Sequence, residues 1–405
     1  MRVYIKTYGC TANASDSAGM RDLILRSGSE VVSDPDEADV VIINTCAVTQ
    51  HTANSMVRAI RHFEGKRVIV AGCMAAAQRE MLNGCEKAEG AGPAPVARVL
   101  GIDPAIDDLP LAMTGATAIV SISEGCAGNC SYCIVKIARG NLRSYSLEAI
   151  LKNVRNALAA GAREILITSQ DVGAYGMDTG IRLPVLLKEI LRIEGDYRIR
   201  LGMMNPFSIA DILPEMIETF KDPRIYRFIH IPVQSGSDRI LKLMNRPYTS
   251  DEYRRIVSTL RDSVPDITLS TDYIVGFPYE SIEDFDMTLD DLMSTRPLKV
   301  NITRYSRRPG TAAALMPDTL ERTKKERSRK LTALHHEITS SFMRSMIGKR
   351  LKVQVTEEGK PGTVIARDGS YNMVVIKTPL QPGANVEVEI SGSGTTYMVG
   401  RVVLP

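Results

Sequence analysis

The sequence predicts an α/β protein with two successive parallel-sheet units and a small all-β unit at its C-terminal end. Three observations predict it. Strand-like and helix-like segments alternate through the first 90 or so residues and again from Ala118 onward. The second series holds six β/α units, enough for an open or partial barrel. After about residue 343 the chain breaks into short β-rich pieces separated by Gly and Pro turns.

In the first unit, VYIKTYG at 3–9, ADVVIINTC at 38–46 and RVIVAGC at 67–73 read as strands, with helices over 13–28, 52–63 and 75–82. Residues 1–90 form this domain. Residues 91–117 mix Gly, Pro, Ala and acidic residues with little sustained periodicity, so a linker is expected there. The second unit, 118–342, takes its strands from AIVSIS, REILITS, YRIRLGM, YRFIHIP, ITLSTDYIV and LKVNITRYS, separated by amphipathic helices such as SLEAILKNVRNALAAG. A helical run from Thr319 to about Met346 closes it, and residues 343–405 read as a small β-barrel.

At 405 residues the chain exceeds one typical domain of ~100 to 200 residues, so more than one hydrophobic core is expected. Hydrophobic residues make up 44% and charged residues 24%, and no apolar run approaches the ~20 residues that span a bilayer. The N-terminal MRVYIKTYGC reads at once as a strand, without the basic-then-apolar pattern of a signal peptide. A cytoplasmic protein with no membrane partner is expected. Net charge is only +3, but ten Lys/Arg against three Glu between Glu321 and Lys352 place +7 there and leave about −4 on the rest. That end suits an anionic partner.

Seven cysteines, an odd number in a chain with no export signal, favour metal or redox chemistry over a disulfide framework. Cys126, Cys130 and Cys133 lie in CAGNCSYC, a loop directly after the first barrel strand. Four thiolates would saturate a 4Fe-4S cluster, whereas three leave one iron open to a small molecule. A Cys3His zinc site is the rival, yet the chain has only five His and none near this loop. Plain burial of free cysteines is the other, and three within eight polar-loop residues speak against it. Cys10, Cys46 and Cys73 each stand immediately after a predicted strand. Residues at the carboxyl ends of parallel strands gather on one edge, so these three are expected to meet there and hold a second cluster. Cys85 belongs to neither set and is expected to be structural or without a role.

These residues resemble the methylthiotransferase family of radical S-adenosylmethionine enzymes over essentially the whole chain. TYGCTANASDS, INTCAV and AGCMA resemble the blocks that carry the family's auxiliary-cluster ligands, here Cys10, Cys46 and Cys73, and the CAGNCSYC loop resembles its catalytic-cluster loop. The tail resembles the family's small RNA-binding barrel, TRAM. The blocks CSYCIVKIARGNLRSY, LITSQDVGAYGMDTG, RLGMMNP, HIPVQSGSDRILKLMNRPY, STDYIVGFP and RRPGTAA are most similar to the archaeal and eukaryotic branch acting on N6-threonylcarbamoyladenosine in tRNA. The branches acting on isopentenyladenosine or on ribosomal protein S12 are less similar. Two departures, GFPYES for the usual GFPGE and RPGTAA for RPGTPA, touch no cluster ligand. The resemblance implies a flavodoxin-like N-terminal parallel-sheet domain, a central radical SAM partial (β/α)6 barrel and a C-terminal TRAM barrel. It also implies two 4Fe-4S clusters and S-adenosylmethionine as cofactors.

The implied reaction inserts sulfur and a methyl group at carbon 2 of the adenine at tRNA position 37. That C–H bond has no acidity to exploit, so cofactor-borne radical chemistry is required. The implied partners are a tRNA anticodon stem-loop carrying N6-threonylcarbamoyladenosine, an electron donor and a sulfur source. A non-catalytic iron-sulfur RNA-binding protein is the alternative from another class, and it would gain nothing from an open iron. Barrel active sites lie at the carboxyl ends of strands, so Gln170, Asp171, His230, Gln234, Ser235, Arg246 and Asp272 are candidates to touch cofactor or substrate. For His230 and Asp171, core packing and turn capping are the plainer readings. Tyr132, inside the cysteine loop, either neighbours the cofactor's adenine or packs the core. On the basic helix, Arg322, Lys324, Lys325, Arg327, Arg329 and Lys330 are candidates for RNA phosphate contact, although such a run is ordinarily a solvated face. With no Trp and 5% aromatic residues, extensive base stacking is not evident, even though the target adenine must leave its stack.

Overall fold

The alternating N-terminal segments form a parallel sheet because their strands are apolar on both faces. In the computed structural model, which describes residues 1–47, 50–63, 65–82, 84–104 and 109–403, this sheet contains β1 (Arg2–Thr7), β2 (Glu30–Val32), β3 (Val40–Thr45), β4 (Arg67–Gly72) and β5 (Glu86–Lys87). All pairs are parallel and the order is β2-β1-β3-β4-β5. Helix α1 (Thr11–Arg26) covers one face, where Met20 and Ile24 pack on Val3, Ile42 and Ile69. Helices α2 (Gln50–Arg61) and α3 (Cys73–Ala77) cover the other, with Met56, Ile60 and Met74 on Val41, Ile43 and Val70. The strand order reverses direction between β1 and β3, the place where a doubly wound sheet of the flavodoxin type opens its ligand crevice.

The expected linker over 91–117 is corrected by the structure: it holds helix α4 (Pro93–Leu100) and strand β6 (Ala112–Thr114). Two of its punctuating residues bound a helix rather than a loop, with Pro93 opening α4 and Gly101 closing it at φ +72. Val96 of α4 is buried in the first sheet's core, and β6 pairs antiparallel with the first strand of the next unit.

That next unit begins with β7 (Thr117–Ser121), followed by the short ribbon β8 (Ser123–Glu124) and β9 (Arg143–Ser144) with helix α5 (Ile134–Arg139) between them. Its remaining strands are β10 (Glu164–Thr168), β11 (Arg198–Leu201), β12 (Phe228–His230), β13 (Thr268–Val275) and β14 (Lys299–Arg304). Strands β7, β10 and β11 pair in parallel, as do β12, β13 and β14. Single parallel bridges, Ile199 to Ile225 and Met203 to His230, join the two groups, giving six strands in chain order as an open barrel. Helices α6 (Leu147–Ala159), α7 (Leu183–Leu191), α8 (Pro206–Ala210), α9 (Leu213–Thr219), α10 (Asp238–Leu243), α11 (Ser250–Ser263) and α12 (Ile282–Thr295) surround it. Capping boxes at Thr249 with Glu252 and at Ser281 with Asp284 start α11 and α12.

Helix α13 (Glu321–Ser345) runs from the barrel into the tail, where β15 (Arg350–Glu358), β16 (Val364–Arg367), β17 (Met373–Ile376), β18 (Asn385–Ser393) and β19 (Met398–Val402) close into a barrel. A tail loop stoppers the amino end of the open barrel. Tyr371 sits edge-on to Tyr226 with centroids 4.8 Å apart, and its carbonyl accepts from Lys299 Nζ at 2.8 Å. The Gly369 carbonyl accepts from Arg227 N at 2.9 Å. Burial, with Arg367 and Arg200 nearby, pushes Lys299 down to about 7. Among the described residues no helix is long and apolar enough to cross a membrane.

Candidate active site between two cysteine triplets

Cys46 and Cys73 follow β3 and β4 directly and Cys10 comes three residues after the end of β1, so all three lie at the carboxyl edge of the first sheet, the first two in sequence flanking its crevice. Two glycines let the strand exits close up. A β-carbon on Gly9 (φ +105) would lie 2.9 Å from that of Cys46, and one on Gly72 (φ +82) would lie 2.3 Å from Asn44 Oδ1. Asn13 ties the exits together, donating to the carbonyls of Tyr8 at 2.8 Å and Thr45 at 2.9 Å. Burial pushes the Cys73 thiol up to about 11, and the charges of Cys10 and Cys46 act on it from close by. Cys85 packs at the border of the α2–α3 core instead.

The second triplet lies at the carboxyl end of the open barrel. Gly128 N donates to Cys126 Sγ at 3.3 Å, and Lys136 Nζ donates to the Cys126 carbonyl at 2.5 Å. The loop is fastened to the end of α10: Ser131 Oγ donates to the Leu243 carbonyl at 2.8 Å, and Asn245 Nδ2 donates to the Asn129 carbonyl at 2.6 Å. Arg246 Nη1 donates to Cys130 Sγ at 3.2 Å, while its Nε and Nη2 are held by Tyr248 Oη and the Pro232 carbonyl. Burial first, then the neighbouring Asp171 carboxylate, pushes Cys126 up to about 11, with Cys133 and Cys130 adding to it. Cys126, Cys130 and Cys133 therefore share one small volume.

Helix α5 joins the two sets. Cys133 is its N-cap, and Arg139 ends it. Arg139 Nη2 donates to Asp16 Oδ2 at 2.6 Å and to Asn13 Oδ1 at 2.9 Å, and its charge acts on the nearby Cys73. Burial works against the Arg139 charge, and Asp16 and Cys73 more than offset it. Ile134 and Ala138 of α5 share a core with Met74 and Ala75 of α3. Among the described residues no three His, Cys, Asp or Glu side chains close on a point that would hold a single metal ion.

Of the other expected residues, Asp171 is fully buried beside Cys126 and accepts from Asn205 N at 3.1 Å, Asn205 Nδ2 at 2.7 Å and Ser208 Oγ at 2.8 Å. Gln170 has a buried Oε1 with no protein partner. Asp272 Oδ1 meets His230 Nε2 at 2.9 Å and accepts from Asn301 Nδ2 at 2.7 Å, a polar row across β12, β13 and β14. Gln234, at φ +73, bridges its backbone to Tyr273. Ser235 is turned into the protein, where its Oγ accepts from Ser237 N at 3.2 Å. Tyr132 packs its ring against Phe277, with centroids 6.2 Å apart.

The basic helix divides, which corrects two expected RNA contacts. Lys324 and Arg327 are buried, the first paired with Asp318 at 2.8 Å and the second with Glu280, so neither is presented to a phosphate backbone. Arg322, Lys325, Arg329 and Lys330 face outward.

Arg308, within the RRPGTAA block, is a residue the sequence reading passes over. It is only 2% exposed, its Nε and Nη1 have no protein partner, and it lies in the field of Cys46. Burial pushes it down to about 10. Its loop also touches the second triplet, because Ala313 N donates to the Ser131 carbonyl at 2.8 Å.

Comparison with known proteins agrees with this arrangement. Residues 120–292 match the radical SAM superfamily, residues 2–89 the uncharacterized protein family UPF0004, and residues 344–403 the TRAM domain. A probable threonylcarbamoyladenosine tRNA methylthiotransferase of Archaeoglobus fulgidus is 42% identical over 99% of this chain and 99% of its own length. One of Pyrococcus horikoshii is 36% identical over 100% of both chains. The human threonylcarbamoyladenosine tRNA methylthiotransferase is 34% identical over 99% of this chain and 74% of its own length. Among solved structures, the radical S-adenosylmethionine methyltransferase TsrM from Kitasatospora setae has a TM-score of 0.57 at 16% identity, over 78% of this chain and 77% of that one. The cobalamin-dependent radical enzyme OxsB has a TM-score of 0.53 at 14% identity, over 83% and 56%. These two bear on the fold alone. With relatives this similar along its whole length, the chain belongs to the threonylcarbamoyladenosine tRNA methylthiotransferase family of radical S-adenosylmethionine enzymes.

Proposed function

We propose that this enzyme methylthiolates N6-threonylcarbamoyladenosine in the anticodon stem-loop of tRNA, with each cysteine triplet holding one 4Fe-4S cluster at a common chamber. The observation that carries this reading is α5, which is capped by Cys133 of one triplet and packs Ile134 and Ala138 in one core with Cys73 of the other, whose thiol feels the charge of Arg139 at the helix end. The donor sets fit: three free thiols in each, with the unpartnered polar atoms of Arg308 and Gln170 nearby. When bound, the clusters and S-adenosylmethionine supply the radical and the sulfur that an unactivated C–H bond requires.

The chain's own residues bind, orient and shield. Cys126, Cys130 and Cys133 hold one cluster and Cys10, Cys46 and Cys73 the other, and all six must lose their protons to do so. Arg246 donates to Cys130 Sγ, and the charge of Arg139 works against the burial that pushes the Cys73 thiol up. Gln170, Asp171 and Gln234 lie past strand ends, where cofactor and substrate are oriented, and His230 Nε2 at the end of β12 meets Asp272 within β13, a pair that can hold a proton there. Tyr132 and Phe277 form an apolar wall beside the Cys130 loop that excludes water. Ser235 supports the turn behind Gln234 from the buried side.

Arg322 and Lys325 on the outer side of α13, together with the small closed barrel, take the phosphate backbone of tRNA. An electron donor and a sulfur source complete the reaction in the cytoplasm. Mass spectrometry of tRNA nucleosides from cells with and without the gene tests this reading. Loss of 2-methylthio-N6-threonylcarbamoyladenosine from the deletion strain is expected. Its persistence in a strain without a redundant enzyme refutes the assignment.

A further inference from the structure

The loop 276–281, between β13 and α12, lies at the carboxyl end of the open barrel, as the Cys126 loop does. Most of it is turned inward. Phe277 is wholly buried, and the buried Glu280 accepts from Gly276 N at 2.6 Å and pairs with Arg327. Tyr279 is the exception, 56% exposed and held at φ +65. A residue with a β-carbon is disfavoured in that left-handed region by about 1 kcal/mol, and glycine is not. A mostly exposed ring returns little of that through core packing, so the strain points to a use outside the fold.

The loop is rigid beneath the ring. Arg239 Nη2 donates to the Tyr279 carbonyl at 2.6 Å, and the same guanidinium pairs with Asp284 of the α12 capping box. Beside it, Ile282 is 69% exposed and Leu320 is 76% exposed. The start of α13 lies against this loop, since Thr319 Oγ1 donates to the Phe277 carbonyl at 3.2 Å and Arg327 Nη1 to the Glu280 carbonyl at 3.0 Å. The outward residues of those turns are Glu321, Arg322, Lys325 and Glu326, with Glu321 paired to Arg304 at 2.5 Å and Glu326 to Lys330 at 3.3 Å. An exposed ring with apolar neighbours can stack an unpaired base, and Arg322 and Lys325 on the adjoining turns can meet its phosphates among the exposed Glu283, Glu321 and Glu326.

We propose that Tyr279 is a stacking platform for an unpaired base of the RNA substrate, next to the one delivered into the chamber. The inference rests on tRNA being the substrate. Its bracing pre-orders the ring, so little conformational freedom is lost on binding.

The test uses the full-length, cluster-loaded protein and a synthetic anticodon stem-loop carrying N6-threonylcarbamoyladenosine, with Kd measured at several salt concentrations. Tyr279→Ala and Tyr279→Gly are expected to weaken binding about five-fold or more, the lower end of what one stacked base contributes. The factor should be the same at each salt concentration, because no phosphate contact is lost. Tyr279→Trp should bind like the parent. Tyr279→Gly should also melt at a higher temperature than Tyr279→Ala, because glycine relieves the backbone strain, which separates binding from folding. Unchanged Kd in both the Ala and Gly variants, with the parent binding normally, overturns this inference alone. Failure of the parent to bind the stem-loop overturns the tRNA reading as well.

Discussion

Arg139 donates to Asp16 at 2.6 Å across the boundary between the first sheet and the open barrel, and both side chains are almost wholly buried. Removing one partner of such a pair leaves the other charge uncompensated, at about 3 to 5 kcal/mol. Arg139→Ala is therefore expected to lose about that much stability in denaturant titration. It should also bind less iron at Cys10, Cys46 and Cys73 than at the other triplet, read by iron counts in backgrounds where either triplet is replaced. Equal iron at both sites would show that Arg139 serves folding only.

Arg308 is the converse case. Its buried Nε and Nη1 have no protein partner and only Nη2 reaches one, Ser306 Oγ at 3.3 Å, so the folded chain carries a desolvated cation that the protein compensates only in part. Arg308→Met is expected to leave the thermal stability of the cluster-free protein unchanged or raised. Product formation should fall about ten-fold or more, the loss of one hydrogen bond to a charged group. A large drop in stability of the cluster-free variant would mean that Arg308 holds the fold together rather than a bound group.

The division of α13 predicts two different phenotypes from one basic run. Arg322→Ala and Lys325→Ala should each reduce the slope of log Kd against log salt for tRNA by roughly 0.7 to 0.9, with stability unchanged. Lys324→Ala and Arg327→Ala remove buried ion pairs and should lower the melting temperature instead. Identical salt slopes in all four would remove α13 from the RNA interface.

Lys299 links the barrel stopper to pH. Burial holds its folded-state value at about 7, below that of the unfolded chain, so between those values the unfolded state binds more protons. The sign is then fixed: this residue's contribution to stability rises with pH through that window and is at its least favourable below it. Melting curves from pH 7 upward should show a smaller upward slope in Lys299→Met than in the parent. Parallel pH profiles for the two proteins would contradict an enclosed ammonium.

Much of this arrangement is legible in the sequence for physical reasons. The runs around Ile42, Ile69 and Ile165 are apolar on both faces, as parallel strands covered by helices must be, and cysteines placed within three residues of the ends of β1, β3 and β4 have to reach the same edge. The helix Pro93–Leu100 is not legible as one, because its Pro start and Gly stop are also the punctuation of loops. Nor is the inward face of α13, which is set by Glu280 and Asp318, residues outside the helix. The Arg139–Asp16 pair spans 123 residues of sequence, and no local pattern announces it. Tyr279 shows as a departure from a motif, but its left-handed backbone and its exposure belong to the folded loop.

The most direct test of two clusters facing one chamber is anaerobic reconstitution with iron and sulfide counting, followed by product analysis, on the parent and on the Cys10→Ala, Cys46→Ala, Cys73→Ala triple variant. The parent should hold two clusters and form the methylthio product. The variant should hold one cluster and still cleave S-adenosylmethionine, yet form no methylthio product. Methylthiolation retained in the triple variant would contradict the account.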